Sequence, residues 1–380
     1  KPIFLVRDPI RIFASWKLHG WSTLQSLVDR FEGLFTSIDS HPTPPYTLVC
    51  EKLVRDPEAE IRRVCEYWGI DFNAAMLDYG KDVEDPLELL DAVKEHYGMR
   101  SDVPPQAILS NQERYDIECK LGPLYLRTWQ PEIDKIRPVL DKATWFAFDL
   151  DDTLHEFRRV SMGAIGSVLN SVIQETGSSY PSLTLPTLKS ECAKVLMSTA
   201  SPEFVKDKTS HQYHMHHVRS VFAAFDLTFP DDTIAAWASH YEAVHMETLE
   251  LKCGVVDLFT TLKSLGKKIV IIGEGPQDMQ EWTLEKFGLN QFVDYLATTN
   301  ELGVGKTDGL FPKVLEAIGA QGSDVVMVGD NYDRDVLPAR EAGMFPVHYA
   351  EKENFWVGKE ADGEATSVKV NTLKKLEFML

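Results

Sequence analysis

The chain carries its densest chemistry in Phe146-Ala147-Phe148-Asp149-Leu150-Asp151-Asp152-Thr153-Leu154, an apolar run that breaks into three carboxylates and a threonine. A short apolar run reads as a buried strand. Carboxylates just beyond its C-terminal end stand where open α/β sheets place their ligands. Asp149 and Asp151 are two residues apart, so a regular strand would put both on one face and Leu150 on the other. Carboxylates so close repel unless a proton or a cation joins them. A hard cation such as Mg²⁺ suits oxygen ligands and phosphate substrates. The plainer alternative is an acidic loop capping a helix, for which Asp152 and Thr153 are good residues.

Three further segments weigh against that alternative. Ile269-Val270-Ile271-Ile272 ends in Gly273-Glu274-Gly275-Pro276, and Val325-Val326-Met327-Val328 ends in Gly329-Asp330-Asn331-Tyr332-Asp333-Arg334-Asp335. Between them Gly305-Lys306-Thr307-Asp308-Gly309 sets a lysine ahead of an amphipathic helix.

In chain order these four segments resemble the haloacid dehalogenase superfamily of phosphohydrolases over about residues 143 to 380. Asp149, Asp151 and Thr153 match its DxDxT motif, Asp330 and Asp335 its GDxxxxD motif, and Lys306 its motif lysine. The resemblance implies a doubly wound α/β domain and a Mg²⁺-dependent phosphatase of small phosphorylated metabolites. Asp149 would be the nucleophile, forming an aspartyl phosphate. Asp151 would protonate the leaving oxygen and then take a proton from water. Asp149, Asp330 and the backbone carbonyl of Asp151 would hold Mg²⁺. Asp335 would orient Lys306 or reach the metal through water. Lys306 would offset the charge on Asp149 and the phosphate.

One motif departs. The family carries Ser or Thr after the run matching Ile269–Ile272, and this chain has Gly273, followed by Glu274 where Asn is common. Glycine offers no hydroxyl to a phosphoryl oxygen, although the backbone N–H groups of the Gly273-Glu274-Gly275 loop still can donate. A preorganised donor of that kind is worth on the order of 10²–10³ in rate. Gly273→Ser is therefore expected to raise turnover. Glu274 adds negative charge beside an anionic substrate. Two rival classes follow: a non-catalytic binding module on the same fold, and a phosphomutase using the same aspartyl phosphate.

About 110 residues separate the first motif from the run Ile269–Ile272. They read as helical, with Ala164, Ile165, Val168, Leu169 and Val172 on one stripe, and their position resembles the family's helical cap at about 156–266. His211, His214, His216 and His217 cluster there, without a Cys or acid pair to complete a metal site. Lys206, Lys208 and Arg219 lie close by and could meet a phosphate.

The N-terminal part differs. Pro2 to Val6 reads as a strand running into Arg7-Asp8-Pro9, where Asp8 with Pro9 is a strong helix start. Tyr46 to Cys50 reads as a second strand. Arg7-Asp8-Pro9 with Ser15, and the segment from Tyr46 to Phe72, resemble part of a nucleotide-dependent sulfotransferase, a P-loop NTPase-like fold. The resemblance implies that Arg7 and Ser15 bind the 3′-phosphate of the sulfuryl donor. It covers about residues 1 to 80 well and loosely reaches 140. The chain opens without methionine, directly in a strand, and reads as a piece of something longer. The family's glycine-rich anion loop would precede Lys1, so donor binding by the present chain is not expected. The boundary between a 1–140 and a 141–380 domain is expected at Pro131 to Lys142, where two prolines interrupt a charged stretch. Residues 81 to 130 read as helices and loops, broken at Pro104-Pro105.

Composition bounds the rest. At 380 residues the chain exceeds one ordinary core, and 44% hydrophobic residues suit a globular protein. Lys and Arg number 39 against 58 Asp and Glu, a net charge of −19 that argues against nucleic acid and anionic membrane as partners. Five scattered cysteines with no CxxC spacing suit reduced thiols in a cytoplasmic protein. The expected partner is a small phosphate ester.

Overall fold

A computed structural model of the chain describes residues 1–20, 23–77, 109–176, 179–180, 183–198, 208–359 and 366–380. Contacts divide it into two compact units, Lys1–Pro138 with Ala350–Leu380, and Val139–Tyr349. In chain order the first unit begins β1 (Ile3–Val6), α1 (Pro9–His19), α2 (Leu24–Asp39), β2 (Tyr46–Val49), α3 (Cys50–Arg55), α4 (Pro57–Trp68), α5 (Asn111–Arg127) and α6 (Gln130–Lys142). The division between units falls inside α6. The prolines expected to break this stretch do not: Pro131 sits in the first turn, where its missing N–H is unused, and Pro138 lies within the helix. The buried side chains of Ile133, Ile136 and Leu140 outweigh the one bond that Pro138 gives up. The expected break at Pro104-Pro105 lies outside the described residues, as does Lys206.

The second unit continues with β3 (Trp145–Phe148), α7 (Phe157–Thr176), α8 (Leu185–Ser198), α9 (Ser210–Ala223), α10 (Asp231–Thr248), α11 (Val255–Ser264), β4 (Lys268–Gly273), α12 (Gln277–Lys286), β5 (Tyr295–Thr298), α13 (Thr299–Leu302), α14 (Leu310–Ile318), β6 (Val325–Gly329), α15 (Leu337–Glu341) and β7 (Phe345–Tyr349). It is an α/β unit whose parallel strands run in the order β5-β4-β3-β6-β7. The apolar runs read as strands are those strands, and every residue of β3 and β6 is buried, as a parallel sheet covered on both faces requires. Phe148 pairs with Ile271 of β4 and with Val328 of β6. That register brings the ends of three strands level, so Asp149, Gly273 and Asp330 emerge at one edge. The chain leaves β3 towards β4 and leaves the adjacent β6 towards β7, in opposite directions, which makes the gap between β3 and β6 a topological switch point.

Helices α7 to α10 form the insertion between β3 and β4. They bury a core of their own, with Val168, Leu169 and Val172 against Val221, Phe222, Ile234 and Trp237. Two histidines are buried in these helices. His245 is 1% exposed, and neither ring nitrogen has a hydrogen-bond partner. Burial lowers its pKa to about 4, with Asp151 opposing and His155 and His214 adding to the fall. Burial, then the nearby His214 and His216, lowers His217 to about 3. In the unfolded chain both take a proton near pH 6.5. As pH falls from 6.5 towards 4 the unfolded state gains protons that the folded state refuses, so stability falls with it. Each histidine contributes a slope of up to about 1.4 kcal/mol per pH unit in that window. Thermal melts of His245→Phe, which removes the titration and keeps the ring, should lose about 2 kcal/mol less than the wild type between pH 7 and pH 5. An unchanged pH dependence would show that His245 is protonated in the fold.

The chain closes with β8 (Trp356–Lys359), β9 (Thr366–Val370) and α16 (Leu373–Met379). A second domain running to residue 380 was expected; instead Ala350–Leu380 packs with the first unit. The reason lies in two sets of contacts. The Phe355 ring stands edge-on to Trp129 at 5.2 Å. Lys375, wholly buried, donates to Asp8 Oδ2 at 3.0 Å and to Glu118, while Asn371 donates to the same Asp8 oxygen at 2.9 Å. Asp8 also caps α1, accepting from the Ile10 N–H at 3.0 Å. Removing the ammonium would strand two buried carboxylates, a loss of about 3–5 kcal/mol. Lys375→Met should accordingly lower the melting transition of the first unit in calorimetry and leave that of the second in place.

Candidate active site

Asp149 follows β3 and is 6% exposed. Its backbone N–H donates to the Val328 carbonyl at 2.9 Å, which ties it to β6. One carboxylate oxygen, Oδ1, accepts from Lys306 Nζ at 2.5 Å; the other, Oδ2, is buried without a hydrogen-bond partner. Lys306 Nζ also donates to Asp335 Oδ1 at 2.6 Å. Burial alone would lower the lysine, but Asp149 and Asp335 outweigh it and hold the group firmly as an ammonium. Asp149 is raised well above an ordinary carboxyl, by burial first and by the charges of Asp335 and Asp151, against the pull of Lys306.

Asp335 is fixed from its other side, where Oδ2 accepts from the Asn331 N–H at 3.0 Å. The short π-helical turn Tyr332–Val336 brings it back over Gly329. A Cβ at Gly329 would lie 2.4 Å from the Asp335 Cβ, so only glycine lets this carboxylate reach the lysine. Asp330 joins the set through its N–H, which donates to Thr153 Oγ1 at 3.0 Å.

Asp151 does not share a regular strand face with Asp149, because β3 ends at Phe148. The chain turns at Asp152, whose φ is 64°. Aspartate is among the few residues that adopt this conformation readily. Asp151 instead contacts His155, whose Nε2 lies 3.0 Å from Asp151 Oδ1. Of the four acids assigned to the metal, Asp149, Asp330 and Asp335 can bring one ligand oxygen each within 4.8 Å of one another; among the described residues this is the one such group. The Asp151 carboxylate is not in it, as expected of a residue assigned to the metal by its backbone carbonyl. The unpartnered Asp149 Oδ2, buried among acids that one lysine cannot neutralise, fits a hard cation.

Glu274 does not confront the substrate as bare charge. It accepts from Arg334 Nε at 2.8 Å and from the Lys306 backbone N–H at 3.1 Å. It therefore clamps the loop that carries the lysine. Gly275, at φ 138°, follows in a conformation few other residues adopt.

Several partnerships gave no local signal in the sequence. Arg158 donates to Asp330 Oδ2 and pairs with Asp152, both at 3.0 Å. His211 and His214 converge on Glu242, at 3.2 and 2.9 Å, an acid outside their cluster. Arg219 pairs with Asp231. Gln280 of α12 is 3% exposed, and its Oε1 lacks a hydrogen-bond partner. A Cβ built on Gly273 would stand 2.1 Å from that oxygen. The glutamine amide thus occupies the space beside Gly273 where a side chain at that position would go. Arg7 and Ser15 lie in the first unit, at the end of β1 and on α1.

A family model for haloacid dehalogenase-like hydrolases matches residues 144–343. The chain belongs to that family. A glyceraldehyde 3-phosphate phosphatase of Methanocaldococcus jannaschii is 28% identical over 183 residues, covering 46% of this chain and 75% of the relative. A ribulose-1,5-bisphosphate 5-phosphatase of Halopiger xanaduensis is 24% identical over 229 residues, 59% of this chain and 92% of the relative. A solved 2-haloacid dehalogenase from Pseudomonas syringae pv. tomato aligns with a TM-score of 0.47 at 20% identity, covering 62% of this chain and 97% of its own. The family model does not extend to the first unit.

The expected gain from Gly273→Ser meets an obstacle in Gln280. Gly273 is not among the glycines of positive φ, so its backbone would accept a side chain, but the buried end of the Gln280 side chain must swing out of the way to admit it. Gly273→Ser alone should lower both turnover and melting temperature. Gly273→Ser with Gln280→Ala should recover about tenfold in kcat/KM over the single variant, one hydrogen bond of ~1.4 kcal/mol. Steady-state kinetics and melts of both variants decide it; a single serine variant as active as the wild type would show that Gln280 yields freely.

Proposed function

We propose that the chain is a Mg²⁺-dependent phosphoric monoester hydrolase acting on small phosphorylated metabolites, with Asp149 as nucleophile. One observation carries the reading: a buried Asp149 carboxylate with one oxygen on Lys306 and the other unpartnered at a cluster of acids. Phosphoryl transfer asks mainly for positioning and charge neutralisation. Lys306 holds Asp149 in place and offsets part of its charge. Attack of the Asp149 carboxylate on phosphorus would break the P–O bond to the alcohol and give an aspartyl phosphate. Asp151, oriented by His155, would donate a proton to the departing alkoxide and then take one from the water that cleaves the acyl phosphate. Asp149 and Asp330 would hold Mg²⁺, which when bound neutralises phosphoryl oxygens. Asp335, with both oxygens engaged, would act through Lys306. Backbone N–H groups of Glu274 and Gly275 would face the phosphoryl group from the end of β4.

The relatives named for glyceraldehyde 3-phosphate and ribulose bisphosphate support a small phosphate ester as the substrate class. In the first unit β1 and β2 pair in parallel with a helix after each, an arrangement shared by α/β units of many kinds, so the sulfotransferase-like reading rests on the sequence resemblance alone. We propose no activity for that unit, where Asp8 is spent on a helix cap and a buried ion cluster.

Phosphate release from a panel of esters should require Mg²⁺ and stop with EDTA. Asp149→Asn should reduce turnover by at least about 10³-fold, as expected for the loss of a covalent nucleophile. Asp149→Asn turning over at the wild-type rate would remove Asp149 from that role.

A further inference from the structure

We infer that the substrate's leaving group is an apolar alcohol, an alkyl chain or a single ring, held in a cavity of the helical insertion. This rests on the phosphatase reading above and names the substrate class of that site. A cavity of about 240 Å³ reaches from Asp151 and Gly275 into the insertion. Its walls include Val168, Leu169, Val172, Val221 and Phe222, all under 7% exposed. Protein interiors seldom keep voids larger than a water molecule, and an empty apolar one is costly. A packing flaw would also have no reason to open on the catalytic acid. An apolar cavity of roughly 150 Å³ is enough to take up benzene, so this one has room for a ring or a short chain.

The polar side chains of the wall are mostly engaged: Tyr241 donates to Ser161 Oγ at 3.3 Å, while Gln280 presents an Oε1 with no hydrogen-bond partner, room for one hydroxyl and not for several. His214 is held by Glu242 at 2.9 Å, and burial keeps His217 neutral. Glu274 and Asp151 stand at the mouth, each engaged with a basic side chain, Arg334 or His155. A polyhydroxylated alcohol would bury hydroxyls against aliphatic walls with few partners, which is unfavourable. An apolar one would leave water for a matching surface, at about fourfold in affinity per methylene. The Asp151 carboxylate at the mouth is placed where the ester oxygen of such a group would leave.

Propyl phosphate and glycerol 1-phosphate share a carbon skeleton and differ by two hydroxyls, so they isolate the effect. The full chain with Mg²⁺ should show kcat/KM at least tenfold higher for propyl phosphate. From methyl to hexyl phosphate kcat/KM should rise, by about fourfold per carbon at first, and then level off. 2-Phenylethyl phosphate tests whether a ring enters as well. Equal or better turnover of glycerol 1-phosphate would overturn the inference and leave the phosphatase reading standing. Calorimetry with alkylphosphonates of increasing length separates the two further. Affinity that rises with length supports the cavity even if no ester is hydrolysed, whereas flat affinity sinks it whatever the turnover. Val168→Phe should shorten the chain length at which the gain stops. If that variant does not fold, the length series on the wild type decides.

Discussion

The site depends on a shortage of positive charge. Asp149 and Asp335 are buried and share one ammonium, that of Lys306, while Asp330 stands beside them. Buried carboxylates persist only with a proton, a cation or enough donors. Much of the local backbone serves that need. Gly329 gives up its side chain so that Asp335 can fold back. The π-helical turn supplies the Asn331 N–H to the far oxygen of Asp335. Glu274 and Arg334 secure the backbone of Lys306. What remains unmet is one oxygen of Asp149, the atom left open to a cation or a phosphoryl group.

The same logic explains the departure at the end of β4. Taken alone, Gly273 and Glu274 read as a weakened site: a lost hydroxyl and an added charge. In the fold each has a partner distant in sequence. Gln280 fills the volume that a side chain at 273 would take, and Arg334 neutralises Glu274. A glycine that excludes a side chain and a glutamine that claims its place form one unit, so substitutions there cannot act independently.

How much of this the sequence disclosed follows from the range of each signal. Buried parallel strands announce themselves as apolar runs, and acids at their ends are read in the same few residues; β3, β4 and β6 and the edge they form were therefore legible. Partnerships that depend on helix phase were not. Nothing marks Gln280 as facing Gly273, because seven residues and a turn separate them. Nor does the spacing of His211 and His214 reveal Glu242, some thirty residues on. The fate of residues 350–380 was hidden for the same reason: the ion cluster that draws Lys375 to Asp8 links opposite ends of the chain. Arg7-Asp8-Pro9 was legible as a helix start, and its local signal is fully used by the cap of α1.

Each unit thus contains a buried lysine between two carboxylates, Lys375 with Asp8 and Glu118, and Lys306 with Asp149 and Asp335. Composition would rank the two alike. Their surroundings separate them. Around Lys375 the cluster is sealed: all three side chains are fully buried, and Asn371 donates to Asp8. Burial, with Lys375 opposing and the charge of Asp8 adding, lifts Glu118 to about 7, so that a proton can supply the charge that is missing. Around Lys306 a third acid, Asp330, is only partly buried, and a cavity begins at Asp151, two residues from Asp149. A buried ion triad is structural when its charge balance closes within the fold. It becomes a site when the balance must be completed from outside, by a cation and an anionic substrate with room to enter.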